Sequence, residues 1–208
     1  MLSIIKNNLF DTICHEHLAY YSAQVLTKMI NKNNLRIFDI KKNNINGGSL
    51  RFYICHKEAS YKQNKSKIDH VLLDEGLHNL AKKKTFKDFF NRINNLKKNL
   101  LGLLVKLKKD GKIIHGYGAS TKGNVLLQYY KINSGFISFI ADRNFLKVGS
   151  YTPGSKIKII SEESSRAKKP DYYLVLPWHF KDEILLREKK IRSRGCKFIF
   201  PLPKIEVI

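Results

Sequence analysis

The spacing of apolar residues divides the chain into three stretches of different character. Residues 1–56 predict a helix with Ser22 as its N-cap, followed by strands at 35–40 and 50–55. The turn Asn46-Gly47-Gly48 between these strands predicts a hairpin. Two strands and one helix cannot close a hydrophobic core, so we expect this stretch to be the tail of a larger domain.

The middle stretch, residues 57–110, is rich in lysine and predicts helices. A short helix is expected near 68–80, and a long amphipathic helix follows, with Thr85 as its predicted N-cap and Asp110-Gly111 as its end. The lysines on the polar face of this long helix are interpreted as a solvated surface rather than a binding site.

In the last stretch, residues 111–208, short apolar runs alternate with helical patterns. This alternation is typical of an α/β domain in which helices cover both faces of a parallel sheet. The predicted strands are 112–117, 136–141, 172–176 and 197–200, and the predicted helices are 124–130, 161–168 and 181–195.

Composition narrows the class of protein. The hydrophobic share of 43% in 208 residues is enough for one large core or two small ones. Three cysteines far apart argue against a disulfide framework, and the longest apolar run is too short to span a bilayer, so we expect a cytoplasmic protein without a membrane partner. The net charge of +22 is spread along a chain that is also rich in asparagine, which favours a base-composition effect over a nucleic-acid partner.

The stretch FDTICHEHLAYYS, residues 10–22, is called the reactive stretch here, because no other segment packs so many thiol, imidazole, carboxylate and phenol groups together. Cys14, His15, Glu16 and His17 are consecutive, and aromatic and aliphatic residues flank them. A His–Glu pair beside an apolar wall could act as a general base with its partner. The same residues could bind a metal or form a polar turn without chemistry. The metal hypothesis is the weakest, because zinc ligands come as spaced pairs, and no metal is predicted.

A second candidate site is the turn between strand 112–117 and the helix that follows it. Gly116-x-Gly118 would let the backbone approach an anion at the helix N-terminus, and Lys122 would add a cation. Asp142 ends the next strand, where a dinucleotide-binding fold places its ribose-binding acid, but the third glycine comes late for that motif. A tight turn without a ligand remains the alternative.

Six segments in a fixed order resemble the C-terminal portion of the sugar C-methyltransferases. They are FDTICHEHLAYYS, NGGSLRFYI, GYGASTKGN, YTPGSKIKI, PDYYLVLPWHF and RGCKFIFPLP. The resemblance implies an α/β, Rossmann-like C-terminal domain at 111–208 and a helical connection at 57–110. Residues 1–56 would then be the remnant of a Rossmann-type methyltransferase domain, and the family's zinc module and most of its S-adenosylmethionine domain would be absent.

The same resemblance implies a function and a set of site residues. The function is C-methyl transfer from S-adenosylmethionine to a nucleotide-linked keto-deoxysugar, with a separate chain as the expected carrier of the cofactor-binding half. The alternatives are a non-catalytic nucleotide-sugar-binding module from a split or truncated gene, and a small NAD-type domain. Many relatives carry a tyrosine where this chain has Cys14. The implied catalytic residues are His17, Glu16 and His15, and the implied substrate-binding residues are Tyr20, Tyr21, Gly116, Gly118, Ser120, Lys122 and Trp178.

Overall fold

The computed structural model describes all residues 1–208, which form two compact units. The first unit contains Met1–Leu9 and Glu16–Asn91, and the second contains Phe10–His15 and Arg92–Ile208. Each unit has its own sheet, and the two sheets have two and six strands. The predicted domain boundaries at residues 56 and 110 concern the domains of the family and stay a prediction.

The first unit is a hairpin covered by helices. Ser22 caps its second helix as predicted, because the Ser22 hydroxyl oxygen accepts a hydrogen bond of 3.1 Å from the Val25 N–H. The two strands pair antiparallel, as the Asn-Gly-Gly turn predicted. The elements are α1 (Leu2–Lys6), α2 (Ala23–Lys32), β1 (Leu35–Asn43), β2 (Ser49–His56) and α3 (Lys65–Leu77).

The core of the first unit lies between the hairpin and helices α2 and α3. Apolar residues of α2, β1 and α3 are buried there. Leu50 and Phe52 of β2 pack against them and stay partly exposed. This core is small because only one short sheet supplies it. Its buried members are Ala23, Ile30, Ile37, Ile40, Ile68 and Val71.

The second unit is an α/β domain, which confirms the predicted fold class. Its six strands lie in the order β5-β4-β3-β6-β7-β8, and all neighbours pair in parallel except β7 and β8. The elements are β3 (Ile114–Tyr117), α5 (Thr121–Tyr130), β4 (Ile140–Asp142), β5 (Ile159–Ser161), α6 (Glu162–Ala167), β6 (Tyr172–Val175), α7 (Lys181–Arg187), α8 (Lys189–Arg192), β7 (Lys197–Phe200) and β8 (Glu206–Val207). Helix α4 (Lys83–Lys109) has residues in both units.

Thr85 was wrongly predicted as the N-cap of the long helix. Helix α4 already begins at Lys83, and the Thr85 hydroxyl donates to the carbonyl oxygens of His78 and Asn79, at 3.3 and 2.8 Å. The hydroxyl therefore provides a hydrogen-bond donor for two carbonyl oxygens that follow α3. It does not accept a hydrogen bond from an N–H group at the start of α4.

Two predicted elements of the second unit are shorter than their apolar runs. The strand predicted at 136–141 begins only at Ile140, as β4. The Phe136 and Ile137 N–H groups instead donate to the Asn133 carbonyl oxygen in a turn. Ile137 is fully buried without being in a strand. The helix predicted at 181–195 is divided into α7 and α8 at Glu188, a buried carboxylate that accepts hydrogen bonds from Tyr117 and Arg166.

The apolar pattern also missed β5 and β8, which have three and two residues and are too short to show a period. None of the helices combines the length and the apolar composition that crossing a membrane requires.

Candidate functional site

The first half of the reactive stretch, Phe10–His15, is built into the second unit. It begins with a short 3₁₀ turn, and Phe10 is buried with its ring centroid 5.3 and 5.0 Å from those of Tyr129 and Tyr130. Tilted aromatic pairs at these distances bury large apolar areas and fix the angle between the rings. Phe10 is thus an apolar anchor for the residues that follow it.

The next residue, Asp11, adds a polar anchor. Its Oδ2 accepts a hydrogen bond of 2.7 Å from the indole N–H of Trp178, and both side chains are buried. Burial raises the pKa of the Asp11 carboxyl, although the Trp178 hydrogen bond and the charge of Lys122 oppose this rise. Trp178 was predicted to bind substrate, which stays a prediction, but its N–H group holds the reactive stretch in place.

Lys122 presents an unusual buried cation. Its Nζ is inaccessible to solvent and makes no hydrogen bond. Burial lowers the pKa of this ammonium, and the charges of Asp11 and Cys14 act in the opposite direction. The Nδ1 of His179 is likewise buried without a partner, and burial together with the Lys122 charge lowers the pKa of His179. Buried ammonium groups normally find acceptors, so Lys122 is an exception among them.

The glycines of the turn are required by the fold itself. Gly118 has φ +80°, and a Cβ there would lie 2.7 Å from the ring of Pro177. A Cβ on Gly116 would lie 2.7 Å from the Ile140 side chain on the neighbouring strand. The glycines alone therefore do not demonstrate a ligand. Ser120 completes the turn, since its hydroxyl accepts from the Gly123 N–H at 3.0 Å and caps α5.

A cavity of about 300 Å³ opens beside this turn, at the carboxyl ends of the parallel strands. Gly118 and Ser120 line it, together with Arg143. Arg187 also lines it and donates to the Tyr117 hydroxyl, which in turn donates to Glu188 at 2.8 Å. This is the edge of an open α/β sheet where ligands bind.

Asp142, the candidate ribose-binding acid, is engaged by the backbone. Its Oδ2 accepts from the Ala119 N–H at 2.7 Å, and its Oδ1 accepts from the Asn144 N–H at 2.8 Å. The Nζ of Lys147 lies 3.7 Å from Oδ2. Asp142 thereby holds two loops together, and it also lines the cavity.

The second half of the reactive stretch belongs to the first unit. His17 is exposed, and its ring lies 6.2 Å from that of Tyr20 in an edge-on arrangement. Glu16 and Tyr21 are exposed as well. Of the predicted site residues, the structure thus pairs His17 with Tyr20, and it places His15, also exposed, in the other unit. The catalytic roles of His17, Glu16 and His15 stay predictions.

Glu75 of α3 fixes the end of this stretch and was missed by sequence reasoning. Its two carboxylate oxygens accept from the Ala23 and Gln24 N–H groups, at 2.7 and 3.0 Å, and cap α2. Nothing near Glu75 in the sequence signals this role, because its partners are 51 and 52 residues away. Nothing in the sequence indicated that Asp11 is an anchor either, although Asp11 lies within the reactive stretch.

The chain brings no three or more His, Cys, Asp and Glu side chains into a group that could hold a metal ion. Its three cysteines are free thiols, with Cys14 and Cys55 partly exposed and Cys196 buried.

Comparison with known proteins agrees with the architecture of the second unit. A family model described as the C-methyltransferase C-terminal domain matches residues 44–203. C-methyltransferase NovU of Streptomyces niveus is 34% identical over 208 residues, which are 100% of this chain and 49% of the relative. The chain spans about half the length of the curated relative that it matches.

Proposed function

Because the chain belongs to the C-methyltransferase C-terminal domain family, we propose that it supplies part of a C-methyltransferase acting on a nucleotide-linked keto-deoxysugar. In this proposal the second unit holds the sugar nucleotide, and the reactive stretch supplies the proton-transfer residues. The methyl donor is S-adenosylmethionine, which the half of the fold outside this chain binds.

The observation that carries the proposal is the buried, unpaired ammonium of Lys122 in the first turn of α5. A cation at the N-terminus of a helix favours phosphate, since the helix dipole and the backbone N–H groups act in the same direction. Gly118 and Ser120 of the same turn line the cavity. A nucleotide diphosphate brings two phosphates, so these residues match its most charged portion.

The proton-transfer step follows from the chemistry of the reactive stretch. A hydrogen on the carbon next to a ketone is acidic enough for imidazole to remove when the base is held nearby. His17 accepts this proton, Glu16 steadies the imidazolium that results, and the edge of Tyr20 restricts how the ring can turn. The enolate left on the sugar is the nucleophile, and S-adenosylmethionine, when bound, supplies an electrophilic methyl group.

Each end of the reactive stretch is anchored within its own unit. Phe10 and Asp11 are held in the second unit by Tyr129, Tyr130 and Trp178. The Ala23 N–H donates to Glu75 in the first unit, where Ser22 caps α2.

The alternative is a non-catalytic module that binds a nucleotide sugar. It is favoured by one contrast: the glycine turn, Ser120 and Lys122 all lie in the second unit, whereas the three predicted catalytic residues are exposed. Such a module binds the nucleotide sugar and transfers no methyl group, even when the remaining part of the fold is supplied.

The test is His17→Ala, assayed with the 208-residue chain combined with the half of the relative that lies outside the match. We expect methyl transfer, followed by mass spectrometry of the sugar, to be abolished. Affinity for the sugar nucleotide, followed through the fluorescence of Trp178, the single tryptophan, should stay unchanged.

Leu18→Ala is the matched control, because Leu18 is the neighbouring residue and is 95% exposed. Turnover that survives in His17→Ala removes His17 from the role of base. Binding without any turnover in the wild type favours the non-catalytic module. The 208-residue chain alone should bind S-adenosylmethionine weakly, and micromolar binding by calorimetry would contradict the division of labour proposed here.

A further inference from the structure

Five side chains of the second unit form a closed ring of hydrogen bonds beside the cavity. Glu188, only 2% exposed, accepts from the Tyr117 hydroxyl at 2.8 Å and from the Nε of Arg166 at 3.1 Å. The Nη2 of Arg166 also donates to Glu162, at 2.9 Å. Arg187 closes the ring, since it donates to Glu162 at 3.0 Å and to the Tyr117 hydroxyl. The formal charges of the two arginines and the two carboxylates cancel within this ring.

The ring fixes the guanidinium of Arg187 and leaves part of it unused. The Nε N–H donates to the Tyr117 hydroxyl at 3.2 Å, and Nη2 donates to Tyr117 and to Glu162. The N–H groups of Nη1 have no partner in the protein. The Arg187 side chain is 33% exposed, lines the cavity and lies over the Tyr117 ring, with its Cζ 5.6 Å from the ring centroid. Arg187 therefore provides an oriented donor in the wall of the cavity.

The other two cations that line the cavity are held differently. Lys147 is engaged, because its Nζ donates to the Ala119 carbonyl oxygen at 2.7 Å and lies 3.7 Å from the Asp142 carboxylate. Arg143 is exposed, and binding a ligand would cost it the freedom of a long side chain. Arg187 has already lost that freedom within the ring. A preorganised donor loses less entropy on binding and therefore contributes more to affinity.

We propose that Arg187 contacts a phosphate oxygen of the bound nucleotide sugar, and that Glu188 is a positioning residue that orients Arg187 through the Tyr117 hydroxyl. This inference rests on the proposed function in taking a nucleotide sugar as the ligand. A guanidinium binds phosphate through charge-assisted hydrogen bonds, and its planar shape makes this contact depend on orientation. Glu188 acts only through its neighbours, because it is buried and does not line the cavity.

The acidic side chains of the cavity leave room for an anion. Both oxygens of Asp142 accept from backbone N–H groups, and both oxygens of Glu162 accept from arginines of the ring. Glu183 is the remaining carboxylate of the cavity and is exposed, so solvent and salt screen its charge. The net charge of +22 on the chain adds a long-range attraction for a phosphate group.

Inorganic pyrophosphate is the probe for this contact, because it carries the charged portion of a nucleotide diphosphate without a base or a sugar. Its binding to the 208-residue chain is measured by calorimetry at fixed ionic strength. Arg187→Met should weaken this binding at least about tenfold, since a charge-assisted contact is lost. Arg194→Met is the matched control, because Arg194 is exposed and does not line the cavity. It removes the same charge and should change the binding by less than about twofold.

Tyr117→Phe and Glu188→Gln test the positioning role. Tyr117→Phe keeps the aromatic ring and removes the hydroxyl between Glu188 and Arg187, so it should weaken pyrophosphate binding at least about threefold. Glu188→Gln should act in the same direction, and Tyr117→Phe decides alone if circular dichroism shows that Glu188→Gln does not fold.

The same two changes in an Arg187→Met background show whether they act through Arg187. Neither change should weaken the binding further there, because the side chain that they orient is gone. Losses that add to that of Arg187→Met would indicate a general loss of structure and would contradict the positioning role.

Kinetics of the chain combined with the outside half of the relative separate this inference from the proposed function. Arg187→Met should raise the KM for the sugar nucleotide and leave kcat nearly unchanged, as expected for a contact that contributes equally to substrate and transition state. Methyl transfer with an unchanged KM in this variant overturns the inference and leaves the function standing. Pyrophosphate binding that depends on Arg187, without methyl transfer by the wild type, supports the inference and counts against the function. Two further results overturn the inference: no binding of pyrophosphate by the wild type at millimolar concentration, and equal losses in Arg187→Met and Arg194→Met.

Discussion

The sheet with fewer strands has the longer strands. The six-stranded sheet of the second unit is built from strands of two to four residues, whereas the hairpin of the first unit has strands of nine and eight residues. The short strands other than β8 are mostly buried, and the long strands are mostly half-exposed. Strand length alone therefore does not make a core; neighbours on both sides and both faces do.

The two sheets also differ in their surroundings. The second unit has both faces of its sheet covered by helices and ends at two very short edge strands, β5 and β8. The sheet of the first unit is the single pair of strands β1 and β2. The reactive stretch has residues in both units.

The largest expected effect compares the cores of the two units. Phe198 of β7 is fully buried, with Tyr173 and Tyr117 rings 5.3 and 6.1 Å away. Phe198→Ala should lower the free energy of unfolding of the second unit by about 3–5 kcal/mol, because the cavity left behind loses packing as well as transfer energy. Denaturant unfolding followed by circular dichroism measures the loss.

Phe52→Ala is the matched change in the hairpin. Phe52 is only partly buried, so the same substitution should cost clearly less there. Equal losses for the two variants would show that the hairpin is as well packed as the larger sheet, and would break the comparison.

The next effect concerns pH and a buried histidine of the second unit. His115 hydrogen-bonds Ser165 at 2.8 Å, and burial, followed by the charge of Lys168, lowers the pKa of His115 to about 4. An unfolded chain takes up this proton near pH 6.5, where the folded chain does not. Stability from His115 is thus complete above pH 6.5 and falls as the pH drops toward 4, by an amount on the order of 3 kcal/mol.

His115→Gln isolates this contribution from the other histidines. The free energy of unfolding, plotted against pH, should have different slopes for the variant and the wild type between pH 6.5 and 4. Above pH 6.5 the two plots should run parallel. Identical slopes would mean that His115 is protonated in the folded protein at mild acidity, and the buried contact with Ser165 would then not depend on the neutral ring.

Local features of the fold could be predicted from the sequence because they depend on neighbours in the chain. The Ser22 cap, the antiparallel hairpin at the Asn-Gly-Gly turn and the parallel sheet of the second unit were all confirmed. Each follows from residue types within a few positions of one another. The run at 136–139 misled the prediction, because burial of Ile137 requires apolar residues whether or not the backbone is a strand.

The anchors of the candidate site could not be predicted in this way. Asp11 and Trp178 are separated by 167 residues, and Glu75 meets the start of α2 across 52 residues. No periodicity or motif joins such positions, since their contact is a consequence of the tertiary fold. The buried state of the Lys122 ammonium has the same origin, although its place beside the glycine turn was visible in the sequence.

The smallest expected effect compares one helix cap from each unit. Ser22 caps α2 and Ser161 caps α6, with oxygen-to-nitrogen distances of 3.1 and 3.0 Å. Each Ser→Ala change should cost about 1 kcal/mol, because one N–H of the first turn loses its acceptor. Ser22→Asp and Ser161→Asp, which keep an acceptor, should restore most of the loss.

If the hairpin unfolds before the larger sheet, Ser22→Ala shifts only the first thermal transition and Ser161→Ala only the second. A single transition that moves equally for both variants shows that the two units unfold together, and the small core of the first unit then owes its stability to the rest of the chain.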